Sequence, residues 1–257
     1  ILAGFLYVVD PATPFLVGTV LFALSLLVLT VVPDAGVERL ATAGVRAALA
    51  DAMEGLRFVR RTPVLFGAIS LDLFAVLFGG AIALLPAIAD ERLGVGAVGL
   101  GWLRASVGIG AAGMAFWLAA RPIKRRVGPI LLAAVAVFGV ATVVLGLTTS
   151  YAVAFVALMV LAAADSISMF IRSAIVPIAT PENMRGRVLA TENVFIGASN
   201  ELGAFESGVA AHFLGLVGAV VSGGLGTIVV VGLWWVFFPQ LRNVDRFEEL
   251  RPVESEP

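Results

Sequence analysis

Apolar positions fill the chain in long runs rather than alternating with polar ones. Seven runs are long enough to count: 15–32, 64–88, 99–119, 129–148, 152–176, 188–211 and 217–238. A helix needs about 20 mainly apolar residues to cross the hydrocarbon core of a bilayer, so the pattern predicts seven full transmembrane helices. The segment 1–9 is equally apolar but only nine residues long. No methionine or charged leader stands before it, so it reads as a partial span and the chain as a fragment beginning inside a helix. The fold class predicted is all-α: a polytopic helix bundle with seven full spans plus a partial one.

Composition sharpens this reading. Hydrophobic residues make up 60% of the 257 positions and charged residues 14%, with a formal net charge of −1. A soluble domain carries about 45–50% and about 25%. A soluble enzyme, a disordered chain and a nucleic-acid binder with its basic excess are all excluded on that ground. There is no cysteine, hence no thiolate metal site and no disulfide framework.

Charge placement orients the spans. Fourteen of the 17 Lys and Arg residues fall in segments 33–63, 120–128, 177–187 and 239–257, which seven spans put on one side. By the positive-inside rule that side is cytoplasmic, which places the chain in the inner (plasma) membrane with a cytoplasmic C-terminus. Within 33–63, Leu49, Met53 and Leu56 recur at helical spacing while Arg46, Asp51, Glu54, Arg57 and Arg61 fall mostly elsewhere. That segregation predicts an amphipathic helix at the membrane face. The division expected is therefore the end of one bundle (1–32), an inter-bundle loop (33–63), a six-helix bundle (64–238) and a short tail (239–257).

Several patterns resemble chemistry without supporting it. The triplets Gly94-Gly96-Gly99 and Gly108-Gly110-Gly113 match G-x-G-x-x-G, but neither follows a strand and opens a helix, as a dinucleotide site requires. Small residues that let helices pack closely are the better account. His212 is the only histidine, and Ser207 follows Gly203-Ala204-Phe205-Glu206, which is not a nucleophile elbow. The reading is of a protein that is not an enzyme, with no cofactor and no metal site.

Ionisable residues inside the spans are where function is expected, because a charge at the bilayer centre costs at least about 2.5–3.5 kcal/mol. They are Asp72, Arg104, Asp165, Arg172, Glu192, Glu201 and Glu206. On the sixth run Glu192, Ser199, Asn200, Gly203, Glu206 and Ser207 share one face, which must line an aqueous cavity or a helix interface; Glu201 points the other way. Sorted by depth at about 1.5 Å per residue, Arg172 and Glu192 form an inner gate pair and Arg104 and Glu206 an outer one. Asp72, Asp165, Asn200 and Glu201 are the candidates for substrate or proton coupling, since removal from water favours the neutral form of a carboxylate. Trp102, Trp117, Trp234 and Trp235 read as interfacial anchors.

The strings ATPENMRGRV (179–188) and VFIGASNELGAFESG (194–208) resemble the tenth-to-eleventh helix region of major facilitator superfamily transporters. Within these the chain is most similar to the bacterial exporter branch that includes the enterobactin exporter. EGLRFVRRTPVL (54–65), GLGWLRASVGIGAAG (99–113) and LWWVFFPQLR (233–242) agree with that placement. The basic loop ARPIKRRVGP (120–129) stands where the family repeats a Gly-Asp-Arg-Gly-Arg-Arg type motif, but lacks its acidic residue. The resemblance implies twelve spans in two six-helix halves, with substrate bound between them and alternating access. It also implies an exporter of small amphipathic molecules (siderophores, drugs or similar metabolites) in exchange for protons. Its partners are then the lipid bilayer, the small-molecule substrate, protons and the missing N-terminal half of the same protein, with no nucleic acid. A membrane-embedded enzyme and a non-transporting membrane scaffold are the alternatives.

Overall fold

A computed structural model describes residues 6–7, 10–31 and 45–250. Most of the expected partial span, the stretch 32–44, the side chains of Arg46, Leu49 and Asp51, and the residues after 250 lie outside the described residues. Every described element is helical. In chain order they are α1 (Thr13–Val31), α2 (Val45–Arg61), α3 (Pro63–Phe78), the short α4 (Leu85–Ala87), α5 (Ala97–Ala120), α6 (Val127–Leu147), α7 (Tyr151–Ile178), α8 (Glu182–Phe237) and α9 (Pro239–Arg242).

Six helical segments among the described residues are long and apolar enough to cross a membrane. One of them, α8, runs 56 residues. At about 1.5 Å per residue a straight rod of that length would be about 84 Å, far more than the roughly 30 Å hydrocarbon core. The chain solves this at Gly215, whose φ of 73° and ψ of 167° are non-helical. Contacts on either side of that glycine show the reversal. Gly203 and Ser207 meet α3 and the residue pair after it, and so do Gly223 and Gly226, the latter two against Phe78. Residues about equally far before and after Gly215 thus sit at one level of α3, which makes the arms 182–214 and 216–237 antiparallel neighbours.

The apolar run 64–88, expected as one helix, is broken. Helix α3 ends at Phe78, and a 3-10 turn (Gly80–Ile82), α4 and a π turn (Ile88–Arg92) follow. The physical reason is close packing at a glycine pair. A side chain at Gly79 would strike the Phe138 ring, and one at Gly80 would strike Ser207 Oγ and the Gly203 carbonyl. Hydropathy registers none of this, because every residue involved is apolar or small.

Two apolar clusters stack along the bundle. The first gathers Leu65, Leu71, Leu131, Ile171, Ile175 and Leu241 near the end where α3 begins. The second gathers Leu85, Leu103, Leu145, Leu158 and Val220 near the opposite end. Polar ties cross between helices. Trp234 Nε1 donates to Gly67 O at 2.9 Å, Thr227 Oγ1 to Ala75 O at 3.3 Å, and Tyr151 OH to Gly99 O at 3.0 Å. Helix α1 stands apart: no residue of its apolar stretch is buried against the others.

Helix α2 occupies the segment expected to be amphipathic; of the expected apolar stripe, Leu56 is half-buried and the side chain of Leu49 lies outside the described residues. Met53 is exposed, whereas Gly55 and Val59 are buried. Gly55 lies against Arg187 O and Thr191 Oγ1 of α8, each 2.7 Å from where a Cβ would stand.

Candidate functional site

Between the two apolar clusters the helices bring ionisable groups together. Along α7 the second cluster takes Ala154, Ala157 and Leu158, and the first takes Ile171, Ile175 and Val176. Asp165 and Ser168 stand between them and Arg172 at the edge of the first cluster, at positions i, i+3 and i+7, one face of the helix. Across the interface, Asp72 lies nine residues into α3, about 14 Å from its start at helical rise.

Arg172 Nη2 is 2.7 Å from Asp72 Oδ1, with both side chains more than nine-tenths buried. The same guanidinium exerts its charge on Asp165 and on Glu192. Glu192 is itself buried on the first arm of α8. One guanidinium thus contacts one carboxylate and lies within electrostatic range of two more. The depth argument places Arg172 with Glu192; the structure gives its direct contact to Asp72 instead, because residues of equal depth need not share an azimuth.

Two neighbouring cavities reach this cluster. A void of about 10 Å³ is lined by Asp72, Ala75, Val135, Phe138, Ala164, Asp165 and Ser168, among others. A larger cavity of about 260 Å³ is lined by Val76, Gly79, Gly80, Ile82, Ala83, Phe138, Asp165, Asn200 and Ala204. Asp165, Val76 and Phe138 belong to both. Asp165, with Val76 and Phe138, therefore borders both the larger cavity and the void beside Asp72, and is the ionisable member of the three.

The other expected site residues fall differently. Asn200 lines the larger cavity and turns its Nδ2 back to Ile196 O at 2.9 Å. Glu201 is exposed, on the side of α8 away from the buried Ser199, Gly203 and Ser207. Arg104 is exposed on α5, which packs chiefly on α7, and Glu206 is half-buried on α8. No ion pair joins these two, and no group of three or more metal-binding side chains exists, among the described residues. Of the G-x-G-x-x-G triplets, Gly110 makes a close helix approach, to Met159 O, while Gly108 and Gly113 face open space.

Sequence reasoning missed Ser168 and Phe138. For Ser168 the signal was present: it lies on the Asp165–Arg172 stripe within A-D-S-I-S-M-F-I-R. Phe138 carries no such mark, since a phenylalanine in an apolar run cannot be told from core.

The chain matches one family over residues 1–254, described as transmembrane secretion effector and part of the major facilitator grouping. No curated protein matches it, and no solved structure does.

Proposed function

Because this chain belongs to the transmembrane secretion effectors of the major facilitator superfamily, a multi-pass membrane transport family, we propose that it acts as a proton-coupled exporter. Its cargo in this reading is a small amphipathic molecule such as a siderophore, drug or metabolite, moved by alternating access. The two arms of α8 count as separate crossings, so that 64–238 form one six-crossing bundle. Substrate binds between it and a second bundle, to which α1 belongs; the lack of packing between α1 and the described helices supports that assignment. The basic loops face the cytoplasm, with the C-terminus, in the inner membrane.

The observation that carries coupling is the position of Asp165. It borders a cavity of about 260 Å³ on one side and a buried carboxylate–guanidinium pair on the other. A carboxylate held at such a boundary can exchange a proton with cavity water and pass the change in charge to helices that move. The 260 Å³ cavity is walled by apolar and small residues with only Asp165 and Asn200 polar, which suits an amphipathic cargo.

The test is transport by the full-length protein in sealed proteoliposomes. Efflux that follows an imposed pH gradient, stops with a protonophore and is lost in Asp165→Asn supports the reading. Efflux indifferent to the gradient removes the proton, and turnover of a chemical product in detergent removes the transporter in favour of an enzyme.

A further inference from the structure

Ser168 lies in the middle of the bundle, 3% exposed, and its Oγ meets no hydrogen-bond partner among the described residues. A buried helical serine ordinarily bonds its own turn, as Ser166 does to Ala162 O at 2.8 Å, and a hydroxyl left unpaired is costly. Ser168 lines the void of about 10 Å³ that also touches Asp72 and Asp165. That volume is about one water, and a buried water needs two to four polar partners; Ser168, Asp72 and Asp165 supply three.

We propose that this void is a binding site for one ordered water, which joins Asp165 to Asp72 as the two stations of a proton relay, with Ser168 as its positioning residue. The inference rests on the proton-coupled reading above. Asp165 takes a proton from the cavity side. Its O–H then donates to the void water, which passes one of its own protons to the Asp72 carboxylate. Asp165 ends ionised, Asp72 ends protonated, and the water is regenerated. Because one carboxylate charges as the other neutralises, Arg172 keeps a negative partner throughout while its direct ion pair with Asp72 is released. Inward transfer of the proton thereby becomes a change in the α3–α7 contact.

The charged groups facing these two carboxylates are few. Arg172 comes from α7 itself and Glu192 from α8. Helix α6 contributes no titratable residue. On α5, the ionisable side chain is Arg104, which is exposed.

The experiment uses the full-length protein in proteoliposomes with Ser168→Ala, Ser168→Thr and Asp165→Asn. Expected for Ser168→Ala is a loss of gradient-driven efflux of about tenfold or more, with substrate binding in detergent unchanged and a changed solvent deuterium isotope effect. Ser168→Thr, which keeps the hydroxyl, restores most of the rate. Water density within hydrogen-bond reach of Ser168 Oγ in a high-resolution map is the direct sign. Wild-type-like efflux and isotope effect in Ser168→Ala overturn the relay while leaving proton coupling at Asp165 intact. Equal loss in Ser168→Ala and Ser168→Thr with a lowered melting temperature makes Ser168 structural and also overturns it. A wild type that ignores the pH gradient is the separate failure, that of the coupled-exporter reading itself.

Discussion

Arg172 Nη2 and Asp72 Oδ1 meet at 2.7 Å across the α7–α3 interface, both side chains shielded from solvent. Removing one partner of a buried ion pair strands the other, which costs about 3–5 kcal/mol, whereas replacing both with apolar or neutral groups is often near neutral. Arg172→Leu alone is therefore expected to lower the melting temperature sharply, and adding Asp72→Asn to recover most of the loss. The same cycle run with Glu192→Gln should show a smaller coupling, since that carboxylate feels Arg172 without contacting it. Additive effects of Arg172→Leu and Asp72→Asn would rule out the pairing.

The glycines separate into two groups with opposite expected signs. Gly110 and Gly223 lie against the carbonyls of Met159 and Phe78, where an added Cβ has no room, whereas Gly108 and Gly113 face open space. Gly110→Ala and Gly223→Ala should force helices apart and reduce the folded fraction in fluorescence size-exclusion runs. Gly108→Ala and Gly113→Ala should be neutral or gain about 0.5–1 kcal/mol from the better helix former. Equal behaviour of the four variants would contradict the packing.

Gly215 tests backbone strain without crowding, because nothing lies within 4 Å of its missing Cβ. Its φ of 73° with ψ of 167° belongs to a region essentially restricted to glycine, costing a side chain of order 1–3 kcal/mol. Gly215→Ala is expected to destabilise by that amount through the backbone alone. An unchanged melting curve would mean the arms of α8 reverse by another route.

The long helices were legible because a bilayer demands one simple thing, about 20 apolar residues in a row. That demand says nothing about rotation around a helix axis, and this is where the site went unread. Depth put Arg172 level with Glu192, yet azimuth gives its contact to Asp72; depth put Arg104 level with Glu206, yet their helices are not neighbours. The break after Phe78 does not show in hydropathy, because glycine, alanine and leucine are equally apolar in a helix and in an irregular turn; its signal is the helix-breaking pair Gly79-Gly80 with Pro86 beyond it. What the stripe Asp165, Ser168, Arg172 did announce was periodicity, the one azimuthal signal a sequence carries.

Helix α2 is held by shape more than by charge. Glu54 Oε2 accepts from Arg187 Nη1 at 2.9 Å, but the side chains are 53% and 37% exposed, and exposed pairs contribute about 0–1 kcal/mol. Beside it, Gly55 packs on the α8 backbone at Arg187. Glu54→Ala should therefore change little, while Gly55→Leu should undock the helix. Hydrogen exchange of the amides of 52–61 reads the difference, and the reverse order of effects would refute the argument. Arg187 is a poor probe, since it has a further partner.

The basic loop before α6 lacks an acidic residue of its own, and the structure supplies one from 119 positions away. Asp245 Oδ1 accepts from the Arg126 backbone N–H at 3.0 Å, and Oδ2 from Arg125 Nε at 3.2 Å. Arg126 sits at φ 56° as the N-cap of α6, so a carboxylate there also answers the positive end of the helix dipole. The Arg126 amide, followed by the Arg125 side chain and the Arg125 and Arg246 charges, holds the Asp245 carboxyl below its ordinary value of 3.8. For a carboxylate whose folded value is depressed, the stabilisation is fully present above the ordinary value and is lost as pH falls through the lower folded one. Asp245→Asn should thus speed hydrogen exchange at the start of α6 at neutral pH, and the gap from wild type should close as the pH is taken below 3.8. Two main-chain bonds remain in the variant, Val127 N–H to Asp245 O at 3.3 Å and Gly128 N–H to Val244 O at 3.0 Å, so the effect should be local rather than global. A gap that persists unchanged at low pH would show that the side-chain amide fails for a steric reason and that charge is not what fastens the tail.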